Sequence, residues 1–178
     1  NPCAVAKSKS WRNWHAEGYA TIADRASDDH DMQVVLTGGN NLQEAEMAEK
    51  ILSLCNSARP LDLIGKTGID ELVAVFQLAD IVIAPDTGPV HIASALGTDT
   101  IGLYAATNPD RAGPYNHQSF VVNRYPQALL KYNNKTVEDA AWGERVKTDE
   151  CMALITVDDV ATQIDNIISQ QGEKQHDT

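Results

Sequence analysis

Basic charge is scarce in this sequence. Fourteen lysines and arginines face twenty-five aspartates and glutamates, a net charge of −11 over 178 residues. Nucleic-acid binding needs a basic footprint, so that class is excluded. Simple electrostatic adhesion to an anionic membrane is excluded for the same reason. A single basic pocket for a phosphorylated small molecule stays open. Cysteine is scarce too: Cys3, Cys55 and Cys151 stand far apart with no CxxC pair. That argues against a disulfide framework or a zinc site and points to a reducing, cytoplasmic compartment. No apolar run approaches the roughly 20 residues of a membrane span. The sequence shows no signal-peptide pattern, internal repeat or low-complexity block. It opens on Asn1-Pro2 rather than Met, so a piece of a longer protein is expected.

The length suits one well-buried domain. Residues 14–27 space Trp14, Tyr19, Ile22 and Ala23 along one helical face. Asp28-Asp29-His30-Asp31 reads as a solvated turn, without the ligand spacing of a calcium or zinc site. Residues 32–37 form a short Val/Leu-rich strand, closed by Gly38-Gly39. Residues 42–56 keep a helical period through Ala45, Ala48, Ile51, Leu52 and Cys55. Strand 61–64, helix 69–78, strand 81–84, helix 88–96 and strand 100–104 follow, with Gly97 as the helix stop. Residues 105–118 read as a loop, 120–123 as a last strand, and 124–150 as loop with short helical pieces. A terminal helix runs from Val157 to about residue 170. Alternation of strand and helix predicts an α/β, Rossmann-like three-layer domain with a parallel sheet over residues 1–171. Residues 172–178 are expected to be a disordered tail.

In open α/β sheets ligands sit where strand carboxyl ends meet helix amino ends. Asp86-Thr87-Gly88-Pro89 is such a corner. Thr87 or Asp86 can cap the helix and Pro89 suits its first turn, so capping alone explains three of the four. His91, in the same turn, is unexplained by capping, because a cation there opposes the helix dipole. A neutral imidazole facing a ligand fits better. Lys9, before Trp11, can reach a phosphate, or be an ordinary solvated lysine. Thr37-Gly38-Gly39-Asn40 resembles a nucleotide-binding turn but is neither GxGxxG nor a P-loop. Glu44 either complements the helix dipole or holds ribose hydroxyls. Lys66, in Gly65-Lys66-Thr67-Gly68, either approaches a phosphate or belongs to a plain turn capped by Thr67.

Lys9-Ser10-Trp11, Leu36-Thr37-Gly38-Gly39, Leu63-Ile64-Gly65-Lys66-Thr67 and the run from Asp86 to Gly97 share an order and spacing. So do Gly102-Leu103-Tyr104, Thr107-Asn108-Pro109, Gly113-Pro114-Tyr115 and Cys151-Met152-Ala153-Leu154-Ile155. Together they resemble the ADP-heptose:lipopolysaccharide heptosyltransferases, glycosyltransferase family 9. Asp-Thr-Gly-Pro-x-His is the most specific element. The resemblance implies the donor-binding, C-terminal half of a two-domain GT-B enzyme. Such an enzyme transfers heptose, with inversion, from a nucleotide-sugar donor (ADP-heptose) to a lipid A–core acceptor. It implies donor contacts by Lys9, Gly39, Glu44, Lys66, Asp86, Thr87, Gly88 and His91, and no metal or other cofactor. It also implies a place at the inner face of a bacterial inner membrane, with peripheral association by the full-length protein. Asn40-Asn41-Leu42-Gln43 stands where the family offers a ribose-holding Glu, and Glu44 is the nearest acid. Because the family's general base lies in the N-terminal domain, this chain alone is expected to bind donor without transferring sugar. Asp86 is expected to accept backbone N–H groups or sugar hydroxyls, since it would repel a diphosphate. Two other readings stay open: an epimerase-type GT-B domain, and a non-catalytic nucleotide-binding module.

Overall fold

The computed structural model describes residues 2–3 and 11–176. Helix α1 (Ala16–His30) leads to β1 (Val35–Gly38), α2 (Leu42–Leu54), β2 (Leu61–Ile64) and α3 (Ile69–Leu78). Then come β3 (Ile81–Pro85), α4 (Gly88–Leu96), β4 (Asp99–Tyr104), the single turn α5 (Pro109–Ala112) and β5 (Val122–Asn123). Another single turn, α6 (Tyr125–Ala128), and the long α7 (Val157–His176) complete the chain.

All pairings between named strands are parallel, as repeated strand–helix–strand connections require. They form two ladders, β1–β2 and β3–β4–β5. The single sheet expected from the sequence is thus divided between β1 and β3, where a cavity lies. Alternation along β3 shows the layering. Ile81 and Ile83 pack with α1, α2 and α7 around Trp14, Ile51 and Ile164, whereas Val82 packs with Phe76 and Ala93 of α3 and α4. Strand side chains point alternately to opposite faces, so helices cover both.

Local chemistry sets the boundaries. The Asn41 side chain caps α2 by accepting the Glu44 N–H at 3.0 Å. Gly97 stops α4 at φ +83°, a conformation open to glycine. Helix α1 starts two residues later than expected and runs through Asp28, Asp29 and His30 instead of ending before them. Tertiary bonds hold its last turns. Ser57 donates to Asp28, and Asp24 accepts the N–H groups of Asn56, Ser57 and Ala58. Burial alone would raise the Asp24 pKa, but these bonds outweigh it and hold it at about 2. Helix α7 continues to His176, past residue 170 and into the stretch expected to be disordered. Gln171 is anchored there by donating to Asp99 at 2.9 Å.

Candidate functional site

The β3–α4 corner is built as the sequence suggests, but its side chains are used differently. Thr87 stands at the helix cap with extended backbone and makes no capping bond. Its hydroxyl turns back to donate to the Pro85 carbonyl at 3.1 Å. Asp86 does not cap either. Its carboxylate, 14% exposed, accepts from Arg12 Nη1 at 2.9 Å, and the same nitrogen reaches the Asp86 carbonyl. Of the two partners expected for Asp86, backbone N–H groups or sugar hydroxyls, the first gives way to Arg12. A carboxylate makes charge-assisted bonds with either partner, but the guanidinium brings a full positive charge where a backbone N–H offers only a dipole. The amino end of α4 is left with its N–H groups uncapped by side chains and the dipole's positive end exposed.

Gly88 opens this helix. A Cβ built there meets nothing within 4 Å, and Gly88 is absent from the positive-φ glycines. Neither the protein's packing nor its backbone demands glycine here. His91 is half exposed, and its Nε2 lies 4.0 Å from Asp86 Oδ1. Burial, and then the Asp86 charge, raises the pKa of Tyr104, whose hydroxyl donates to the Ala112 carbonyl at 2.7 Å. Asp86, Thr87, Gly88, His91 and Arg12 thus converge at one corner.

Arg12 is the residue the sequence reading missed. It follows the Lys9-Ser10-Trp11 motif, but its partner lies 74 residues away, so no local pattern announces the pair. Its guanidinium sits 5.6 Å from the Trp11 ring centroid, within cation–π range. Trp11 is itself buried, and its carbonyl accepts from the Cys151 thiol. Arg12 Nε is buried with no hydrogen-bond partner among the described residues. Lys9 lies outside the described residues.

The other expected donor residues gather around the ends of β1 and β2. Glu44 is buried, and Oε2 accepts both the Gly39 N–H and the Asn41 amide at 2.5 Å. Burial raises its pKa, against the pull of those two bonds. A Cβ on Gly38 would meet Ile64 Cδ1 at 2.7 Å and Glu44 Cδ at 3.1 Å, so the glycine makes room for the carboxylate. Glu44 therefore braces the turn and keeps its carboxylate inside it. The Gly39 N–H is spent on that brace. Lys66 is exposed and donates to the Asp62 carbonyl at 2.7 Å. Its neighbour Thr67 does not cap α3; Gly68 holds that position, and its N–H goes to Glu71 at 2.9 Å.

Residues 1–140 match the profile of glycosyltransferase family 9 (heptosyltransferase). The chain belongs to this family. It is 37% identical over 164 residues to the lipopolysaccharide core heptosyltransferase OpsX of Haemophilus influenzae, covering 92% of this chain and 46% of that protein. A family 9 glycosyltransferase from Veillonella parvula superposes with a TM-score of 0.73 at 20% identity, over 96% of this chain and 45% of that one. The Escherichia coli ADP-heptose LPS heptosyltransferase II gives 0.71 at 22% identity, over 96% and 46%. The family 9 chain thus spans about half the length of these relatives, and the two structures share its fold.

Proposed function

We propose that this chain is the donor-binding half of an inverting heptosyltransferase that adds heptose, from ADP-heptose, to the lipopolysaccharide inner core. The observation that carries the reading is the α4 amino end: uncapped, opened by a glycine that packing does not require, and flanked by Arg12 and His91. Transfer from the anomeric carbon builds negative charge on the departing diphosphate. Preorganised N–H donors and the helix dipole stabilise such charge without a metal. Arg12, its charge largely offset by Asp86, orients the corner; Lys9 supplies the net positive charge. The relatives named above as heptosyltransferases support the sugar and the acceptor.

By this reading Gly88 lets a phosphate oxygen approach the backbone, Thr87 and His91 face the diphosphate and sugar, and Gly39, Glu44 and Lys66 border the adenosine end. Glu44 acts there through the shape of its turn. The general base belongs to a facing acceptor domain, so the chain alone binds donor and leaves the sugar in place. Calorimetric titration with ADP and UDP tests this on both the full-length protein and the chain. ADP should bind both with similar affinity, and heptose transfer should require the full-length protein. Failure of ADP to bind the full-length protein, or preference for UDP, overturns the reading.

A further inference from the structure

Two arginine–aspartate pairs in this protein are built differently. Arg124 holds Asp159 with a fork: Nε donates to one carboxylate oxygen and Nη2 to the other. That two-pronged geometry is the strong form of the pair. Arg12 does not fork onto Asp86. One nitrogen, Nη1, makes both bonds, to Oδ2 at 2.9 Å and to the carbonyl of the same residue. Arg12 Nε is buried with no partner among the described residues. The second carboxylate oxygen, Oδ1, lies outside this grip and stands 4.0 Å from His91 Nε2. A pair kept for stability alone gains nothing by stranding a buried donor, which costs free energy. What the single-nitrogen grip achieves is orientation. It ties the Asp86 side chain to its own backbone through one atom, and the guanidinium is in turn held 5.6 Å from the Trp11 ring centroid.

We propose that Arg12 is a positioning residue for sugar recognition. It pins Asp86 by Oδ2, so that Oδ1 and His91 Nε2 together take one hydroxyl of the transferred sugar. This role rests on the donor reading above and assigns its sugar-facing part. The gap has the right width. Two atoms 4.0 Å apart are too distant to bond each other, yet one oxygen can lie about 2.8 Å from both. The gap also has the right chemistry. A hydroxyl can donate to the carboxylate while accepting from an imidazole N–H. An ionised phosphate oxygen only accepts, and it carries charge of the carboxylate's own sign. The diphosphate therefore falls to the α4 N–H groups and the sugar to the gap between Asp86 and His91.

Arg12 serves both through Asp86. The two side chains are each 14% exposed, so solvent screens their attraction weakly. The guanidinium thus offsets a carboxylate that would otherwise repel the diphosphate, and it fixes where that carboxylate points. A lysine would do the first without the second, being a point charge on a flexible stem.

ADP and ADP-heptose are compared by calorimetry on the full-length protein, without acceptor. Native protein should bind ADP-heptose more tightly than ADP. Arg12→Lys should keep ADP affinity within about twofold but lose about tenfold in affinity for ADP-heptose, the scale of one hydrogen bond to a charged group. In transfer assays its inhibition by ADP should stay native while kcat/KM for the donor falls by a similar factor. Arg12→Met leaves the carboxylate uncompensated and should weaken ADP binding as well. Adding Asp86→Asn to it should recover ADP affinity without recovering that for ADP-heptose. A purely structural Arg12 would lower both affinities together. Equal loss of both ligands in Arg12→Lys overturns the proposal, as does loss of neither. Native protein that binds ADP and ADP-heptose alike overturns it too, while leaving the nucleotide site in place. Native protein that binds no ADP overturns the donor reading, and the role of Arg12 with it.

Discussion

At Gly88, a methyl group meets no atom within 4 Å. Glycine in a helix costs about 0.5–1 kcal/mol relative to alanine. Gly88→Ala should therefore leave the protein as stable or slightly more so in urea melts, yet weaken ADP binding about tenfold or more in calorimetry. Equal affinity would mean that no ligand approaches this backbone. Glu44 makes the opposite case, a charged group retained for structure. Its pKa is raised by burial from the 4.5 of an ordinary glutamate. Its contribution to stability is full below pH 4.5 and is lost as pH rises through the folded-state value. Both hydrogen bonds go to one oxygen, so an amide can keep them. Glu44→Gln should match the native chain near pH 4 and overtake it near pH 7.5. Glu44→Ala should lose about 1–3 kcal/mol, the cost of stranding buried donors. Urea midpoints at the two pH values measure both.

Among the elements, those whose ends are fixed by their own residues were legible in the sequence. Strand β2 and helices α3 and α4 fall on the expected bounds, because Gly68, Pro89 and Gly97 punctuate them locally. The ends of α1 and α7 were not legible, since Asp24, Asp28 and Gln171 hold them through partners far along the chain. Asp86 was legible as a site residue, but its partner Arg12 was not, because spacing carries no record of what folds back. The divided sheet was hidden for a related reason: alternation shows that a strand is buried on two faces, not which neighbour it lacks. The start of α7 is a further tertiary device. Thr156 and Asp159 cap each other's N–H groups, and Arg124 grips the Asp159 carboxylate with two nitrogens. Burial alone would raise the Asp159 pKa, but Arg124 and Thr156 outweigh it and hold it below 3.8. Its contribution is thus present above that value and lost as pH falls. Asp159→Asn should cost about 1 kcal/mol at pH 7, the upper range for a partly exposed pair. That difference should shrink in denaturant melts as pH falls below 3.8.

Across the whole molecule, one buried group ties the proposed phosphate corner to the far layer. His117 Nδ1 lies 3.0 Å from the Ser94 hydroxyl of α4, and Nε2 lies 3.6 Å from Asp99 of β4. Asp99 in turn takes the Gln171 amide of α7. Helix, sheet and opposite helix layer are thus linked through a single imidazole, stacked on Phe120. Ser94 is 2% exposed and His117 8% exposed, so this serine, histidine and aspartate form an internal brace beyond a substrate's reach. Burial lowers the His117 pKa below 6.5, against the pull of Asp99. The unfolded chain therefore binds the proton first, and the stability held above pH 6.5 is lost as pH falls through the folded-state value. His117→Gln keeps a hydrogen-bonding group and removes the titration. It should be less stable than the native chain at pH 7.5, with the gap shrinking towards pH 5 by about 1.4 kcal/mol per unit of depression. Because α4 carries the phosphate corner, native ADP affinity should fall over the same interval while that of the variant stays level. A stability gap constant from pH 7.5 to 5 would show that His117 keeps an ordinary pKa in the fold, and the link between acid and the α4 corner would go with it.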